Sequence, residues 1–487
     1  MNSIPLLLMV FSAIACVGVM VAPSPRRFSL LMALVNVPLV LVLLGQYDAA
    51  AGGYQQVVSW RVMDLPHFFP IHLAFGVDGV SLPLVLLTSV VALAAVGASP
   101  QQVRREREFF LCLNLIVCGA YGAFLSLDLF FLYVFHEVAL IPTFLMIGIW
   151  GGHDRKAAAN QMTLYLAAGS MVLLAGLLAF FFALPEGVRS LDLRELAGGV
   201  SSGTVARGDQ GWIFLLLLAG FGALVSLWPL HSWAPRGYAA APAPAAMLHA
   251  GVLKKFGLYG LLRLAVPYLP EGMQAMSQVL LVLLLANIFY IGWVTIAQKD
   301  LTLMLGYSSV MHMGFLFLGL VSLNLTGLTG LVLLMVAHGL SAALLFGTAS
   351  EIRERAGSTL FKDLGGLATR TPVLAFLFIF GGLASIGVPG LGNFAGEVLV
   401  FFGAWKQYTP WVMLALWGLV ISAVYMLRAI RATCYGEPQE PSAAWLDLPA
   451  AGRAWPYALL ALALLVVGVF PGILSGAART TLEALLK

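Results

Sequence analysis

Long apolar runs, following one another almost without pause, decide what this chain can become. They fall near residues 4–22, 28–45, 78–98, 109–126, 128–150, 163–184 and 211–228. The series continues near 243–264, 274–297, 301–321, 324–350, 372–404, 410–432 and 455–478. A helix needs about 20 mostly apolar residues to cross the hydrocarbon core of a bilayer. The sequence therefore predicts an all-α integral membrane protein with about fourteen transmembrane helices and lipid as its immediate surroundings. Only 10% of the 487 residues are charged, where a soluble chain carries about 25%. A single polytopic domain takes up residues 1–487, since the longest polar loops, near 46–77, 185–210 and 433–454, are too small for a soluble domain.

The net charge of +4 is spread over short loops, which argues against nucleic acid as a partner. Cys16, Cys112, Cys118 and Cys434 are scattered, with no Cys-x-x-Cys pair, so the chain offers no zinc, iron–sulfur or disulfide framework. The run Ile4–Ala22 lacks a basic segment before it, because Arg26 and Arg27 come after, and it reads as a retained helix. Loops after odd-numbered spans carry most of the Lys and Arg, including Arg104, Arg105, Arg155, Arg236, Arg353 and Arg428; the others carry about half as many. The positive-inside rule then puts the odd loops in the cytoplasm and both termini on the outer side. For a bacterial chain, the membrane is the inner (plasma) one.

Four charges sit where a membrane span should have none. Lys254 and Lys255 fall well inside one apolar run, and Glu137 and Glu397 lie deep in two others. A charge at the bilayer centre costs at least about 2.5–3.5 kcal/mol. It is tolerated when it pairs, as a structural ion pair that orients helices, or when it lines a hydrated path. His249, His312 and His338 lie in spans that carry these charges or adjoin them. A lone histidine on a helix is usually a packing residue, whereas three in this company favour a proton or ion relay.

Two spans are also interrupted. Span seven ends in Ser226-Leu-Trp-Pro-Leu-His231-Ser-Trp-Ala-Pro235, and span twelve contains Ile386-Gly-Val-Pro-Gly-Leu-Gly-Asn-Phe-Ala-Gly-Glu397. Proline removes a helix hydrogen bond and glycine loosens the backbone. A broken helix at membrane depth persists only where protein or a wet cavity surrounds it. The breaks are five spans apart, which predicts two inverted five-helix repeats, spans four to eight (109–264) and nine to thirteen (274–432). Residues 1–108 would hold the first three helices and 455–478 the last.

At this point the residues resemble a known family. Tyr133-Val-Phe-His-Glu137-Val-Ala-Leu-Ile-Pro142, running on to Gly148-Ile-Trp-Gly-Gly152, looks like span five of the M-type, antiporter-like subunit of respiratory complex I. His249-Ala-Gly-Val-Leu-Lys-Lys255-Phe-Gly-Leu-Tyr-Gly-Leu-Leu-Arg263 resembles its span eight, and Gly306-Tyr-Ser-Ser-Val-Met-His312 its span ten. His338-Gly-Leu, Gly387-Val-Pro-Gly and Gly396-Glu397 resemble parts of spans eleven and twelve, and Gly76-Val-Asp-Gly-Val-Ser-Leu82 the start of span three.

The resemblance implies a proton-translocating membrane-arm subunit of an NADH:quinone oxidoreductase, serving respiratory electron transport coupled to ATP synthesis. Other membrane-arm subunits would be its partners. Glu137, Lys255, His312, His338 and Glu397 would form the proton path, with Lys254 and His249 as further candidates. It implies no cofactor and no metal in this chain, redox chemistry residing in partner chains. Gly390-Leu-Gly392 lacks the spacing and the strand of a nucleotide fingerprint. The alternatives are a subunit of a multisubunit cation/proton antiporter, of a membrane-bound hydrogenase or of an inorganic-carbon uptake complex, and a paralogue that does not pump.

The sequence departs from the family's pattern in span seven. Leu224 stands where the family carries a lysine paired to the span-five glutamate, and Ser226 where it carries a proline. Ala234-Pro-Arg-Gly-Tyr238 replaces Leu-Pro-Asp-Ala-His, and Thr302-Leu303 replaces two basic residues. Lys254 is the obvious substitute partner for Glu137. Consecutive helical residues point about 100° apart, so Lys255 is expected to face the second-half relay. Lys254 would then turn toward span five or seven, snorkel, or face a partner subunit.

Overall fold

The computed structural model describes residues 3–64, 70–201, 203–436, 446–448 and 452–487. Parts of the three long polar loops expected from the sequence therefore lie outside the described residues. The chain opens with α1 (Ile4–Val21) and α2 (Pro25–Gln46), then the strands β1 (Gln55–Asp64) and β2 (Pro70–Val77). Helices α3 (Ser81–Gly97), α4 (Glu106–Leu125), α5 (Leu129–Trp150) and α6 (Arg155–Ala183) come next. After the short α7 (Leu193–Gly199) come α8 (Arg207–Val225), α9 (Trp233–Ala240), α10 (Ala243–Leu248) and α11 (Lys255–Tyr268). The second half is built from α12 (Pro270–Ala275), α13 (Ser277–Ala286), α14 (Gly292–Ala297), α15 (Leu301–Val321) and α16 (Leu325–Ala356). It closes with α17 (Leu367–Arg370), α18 (Pro372–Ile386), α19 (Gly392–Cys434), α20 (Trp455–Val469) and α21 (Gly472–Leu485).

Among the described residues ten helices are long and apolar enough to cross a bilayer, or eleven if the bent pair α20–α21 is one span. Other apolar runs hold shorter or interrupted helix. Those at 78–98 and 372–404 contain α3 and α18, and the run at 243–264 is divided into α10, a π-helical turn at His249–Leu253, and α11. α19 is kinked at Tyr408, two residues before Pro410, as expected where a proline removes a backbone donor. The loop 46–77, too small for a soluble domain, carries an antiparallel hairpin in which Trp60 faces Leu73 and Val58 faces Phe75. Among the long apolar spans α15 and α16 are the most enclosed, with 94% of the apolar stretch of each buried.

The loops sort themselves between the two ends of the bundle. At one end Gly152 N donates to Ala240 O (2.8 Å), Trp150 Nε1 to Arg104 O (2.6 Å) and Arg26 to Gly97 O (3.1 Å). At that end an open cavity of about 670 Å³ gathers Gly152, Arg236, Asp300, Arg353 and Thr359. At the other end Leu127 N donates to Ala74 O (2.9 Å), Gly79 N to Thr481 Oγ1 (3.1 Å) and Ser3 Oγ to Gln56 O (2.7 Å). Loops after odd-numbered spans thus meet at one face and loops after even-numbered spans at the other.

Both expected breaks are present and share one hydrogen-bond pattern. α8 ends at Ser226 (φ +64°), where Ser226 N bonds Ala223 O and Leu227 N bonds Gly222 O. α18 ends at Gly387 (φ +81°), where Gly387 N bonds Ala384 O and Val388 N bonds Leu383 O. This is the Schellman closure of a helix end. Carbonyls freed at each break are met from a neighbouring helix. Asn287 donates to Ser226 O (3.3 Å) and Val310 O (2.8 Å) and accepts from Trp228 N (2.6 Å). His312 Nε2 lies 3.0 Å from Ser385 O.

Gly387 meets two demands: a left-handed backbone, and a space so tight that an added Cβ would strike Glu397 Oε2. An L side chain in that conformation costs about 1–2 kcal/mol before any clash. Gly387→Ala should therefore lower the melting temperature of the detergent-solubilised protein by several degrees, against little change for Gly357→Asn at an exposed, left-handed helix end.

Candidate functional site

The two lysines sit at the head of α11, directly after the π-helical turn, and neither has any exposed surface. In that turn Lys254 N bonds His249 O (3.1 Å), five residues back. The extra residue rotates the remainder of the helix by about 100°, which sets where each lysine points. Lys255 Nζ donates to Ala250 O (2.7 Å) and lies 3.0 Å from His338 Nδ1 on α16. Lys254 Nζ donates to Ser309 Oγ (3.2 Å) and Ser309 O (3.3 Å) on α15, and lies 5.4 Å from the centre of the Tyr238 ring. Lys254 therefore faces span ten. The expectation that it turns toward span five or seven to serve Glu137 is corrected, because the wide turn rotates it onto α15.

From Lys255 the ionisable groups continue inward. The His338 and His312 rings stand 5.6 Å apart. His312 Nδ1 lies 2.8 Å from Ser308 O and its Nε2 3.0 Å from Ser385 O. Both neighbours are carbonyl acceptors, so both contacts become donated hydrogen bonds only when the ring carries two protons. Ser308 Oγ bonds Tyr425 Oη (2.8 Å), which reaches His312 Nδ1 at 3.5 Å. A cavity of about 10 Å³ lies among Ser308, Ser309, His338, Ser341 and Ser385, about the space that one water requires. Beyond the span-twelve break is Glu397, 3% exposed, with Oε1 unpartnered and Oε2 against Gly387.

Glu137 stands apart from this row. Its side chain is 31% exposed on the surface of the chain, it accepts a hydrogen bond from Ser170 on α6, and His136 Nδ1 lies 3.4 Å away. His249 Nδ1 contacts Tyr238 Oη (3.2 Å), and its ring packs edge-on to Trp233. The structure thus joins Lys255, His338 and His312 in contact, sets Glu397 at the neighbouring break, links Lys254 and His249 to Tyr238, and leaves Glu137 with its own helix and α6. Among the described residues no group of three or more His, Cys, Asp or Glu is arranged to hold a metal ion.

A family model described as NADH:quinone oxidoreductase/Mrp antiporter, transmembrane, matches residues 126–422. The chain belongs to this family. It is 34% identical to NAD(P)H-quinone oxidoreductase chain 4 3 of a Picosynechococcus strain over 418 residues, 84% of this chain and 74% of that one. It is 32% identical to NADH-quinone oxidoreductase subunit M of Rhodobacter capsulatus, over 89% of this chain and 85% of the relative. A chain of respiratory complex I from Thermus thermophilus superposes with a TM-score of 0.86 at 31% identity, covering 99% of both. A chain of the Mrp complex from a Dietzia species shares the fold, with a TM-score of 0.83 at 18% identity.

Against that family background, sequence reasoning missed one buried pair. Arg263 and Asp78, each 2% exposed, form an ion pair between α11 and the start of α3, with the guanidinium 4.9 Å from the Tyr259 ring centre and 5.6 Å from that of Tyr54. Both lie at the ends of apolar runs, 185 residues apart, so no local pattern pairs them. Asp78 Oδ1 also accepts from Val80 N (3.1 Å) and Ser81 N (2.9 Å), fixing the start of α3. Removing one partner strands a buried charge, a loss of about 3–5 kcal/mol. Arg263→Met alone should therefore cost more thermal stability than Arg263→Met combined with Asp78→Asn, and a melting series of the single and double variants measures the difference.

Proposed function

We propose that this chain is the M-type membrane-arm subunit of a complex I-type NADH:quinone oxidoreductase and translocates protons while holding no redox centre itself. The observation that carries this reading is the buried row Lys255–His338–His312 leading to Glu397 at the span-twelve break. Every member exchanges a proton readily, and a chain of lysine, imidazoles and carboxylate has no structural purpose that apolar packing would not serve better. The lysine ammonium hands its proton to His338 Nδ1, which accepts it as the lysine becomes an amine. His338 passes a proton toward His312 through the hydroxyl-lined cavity, and Glu397 receives it beyond the break. The complex I chain is similar at the level of sequence as well as fold, whereas the Mrp chain is similar in fold alone, which favours the oxidoreductase over the antiporter.

In this reading other membrane-arm subunits cover the surface around Glu137, since a half-buried carboxylate on an apolar helix is costly against lipid. The two breaks occupy equivalent positions of two inverted repeats, the membrane is a bacterial inner membrane, and the odd-loop face with its cavity lies in the cytoplasm, leaving both termini outside. In inside-out vesicles holding the intact complex, Lys255→Gln or Glu397→Gln should lower NADH-driven proton uptake at least about tenfold, the scale of a lost proton-transfer group. Wild-type uptake by both variants, with normal assembly, overturns the proposal.

A further inference from the structure

Glu137 needs a chemical link to the rest of the row, and neither lysine supplies it. Lys254 is committed to Ser309 and Lys255 to Ala250 O and His338. Leu224, 3% exposed, brings only hydrocarbon. Its position is informative because the neighbouring Ala223 packs against Gly169 on α6, where an added Cβ would lie 2.6 Å from the Ala223 Cβ. Gly169 adjoins Ser170, the hydroxyl that bonds Glu137. This stretch of α8, where it packs on α6 next to Ser170, brings alanine and leucine and no cation.

One basic group does approach Glu137 within ion-pair distance among the described residues: His136, its neighbour in α5, with Nδ1 3.4 Å from Oε1. His136 is 3% exposed, and neither ring nitrogen has a hydrogen-bond partner. A histidine used only for packing would normally satisfy at least one nitrogen. Its ring lies edge-on to Phe256 at 5.9 Å, and Phe256 is the residue after Lys255 at the head of α11. The imidazole thus touches the carboxylate on one side and the lysine-bearing helix on the other.

We propose that His136 is the proton-exchange partner of Glu137, an inference that rests on the proton-translocating reading above. The carboxyl O–H bond of Glu137 breaks as Nδ1–H forms, giving carboxylate and imidazolium. The reverse transfer breaks the Nδ1–H bond, returns the proton to the carboxylate and restores the neutral imidazole, so the pair holds one proton between its two sites. Proton number is conserved at each step, and no oxidant or co-substrate is required.

The test uses the intact complex in inside-out vesicles and reads proton uptake per electron delivered from NADH, with complex content checked on native gels. His136→Phe keeps the ring and its packing but removes both nitrogens, and uptake per electron should fall at least about tenfold. Adding Leu224→Lys to His136→Phe puts a lysine on α8 next to Ala223, which packs on α6 beside Ser170, and a large part of the lost uptake should return. A residue of purely structural importance would not be rescued by a charge on another helix. His136→Gln, which hydrogen-bonds yet carries no proton, should lose uptake as His136→Phe does, and it serves where the phenylalanine variant fails to assemble. Wild-type uptake in either assembled His136 variant, while Lys255→Gln abolishes it, overturns this inference and leaves the proton-path reading standing. Wild-type uptake in all of them overturns both.

Discussion

Two lysine side chains with no exposed surface, on consecutive residues of one membrane helix, govern the rest of the structure. The hydrocarbon core offers them no water, so each must be solvated by protein. The acceptors come from different helices: Ser309 on α15 for Lys254, and Ala250 O with His338 for Lys255. That division of partners is possible because the π-helical turn before the lysines frees backbone carbonyls and rotates the helix head. π turns of this kind are commonly found at functional sites. The near-complete enclosure of α15 and α16 stems from the same requirement, since these helices carry the acceptors and must exclude lipid from them.

The broken helices serve that requirement a second time. A helix that stops within the bundle exposes carbonyl oxygens that lipid cannot satisfy. Here a side chain from the next helix meets them, Asn287 at the first break and His312 at the second. The same closure motif at both sites makes them structurally equivalent, yet the groups that answer them differ in kind. An asparagine amide does not titrate, whereas an imidazole does. The second break therefore adjoins the buried row of ionisable side chains, while the first is met by a group that does not titrate.

Much of this was legible in the sequence, and the limits have physical causes. Apolar runs announced the helices, and Pro229, Gly387, Pro389 and Gly390 announced the breaks, because span length and backbone freedom are local properties. Lys255, His338 and His312 lie in contact, and they stand out in the sequence because ionisable residues inside apolar runs are conspicuous. The direction of Lys254 was not legible, since a π turn leaves no mark on hydropathy and yet moves every side chain after it. The Asp78–Arg263 pair was hidden by 185 residues of separation. The hairpin had a signal in the alternation of Val58, Trp60 and Val62 with polar neighbours, but it falls between two spans whose apolar character dominates the reading.

Leu224 in span seven and Lys254 in span eight together set how buried basic groups are shared between the two halves of the bundle. With Leu224 in the core and Lys254 turned to Ser309, both buried lysine nitrogens contact the second half of the bundle, and the first half keeps a carboxylate with a histidine. Such a redistribution changes how Glu137 is held. A lysine–glutamate pair binds through opposite charges that must separate before either partner can move, and separation in a dry site is expensive. With a histidine beside the carboxylate, the return of the proton from imidazolium to carboxylate neutralises both groups in one step and leaves no charges to pull apart. Imidazole exchanges protons near neutral pH without help, so on the proton-translocating reading this half of the chain would need less of the surrounding structure to move for each proton than a salt-bridge switch requires.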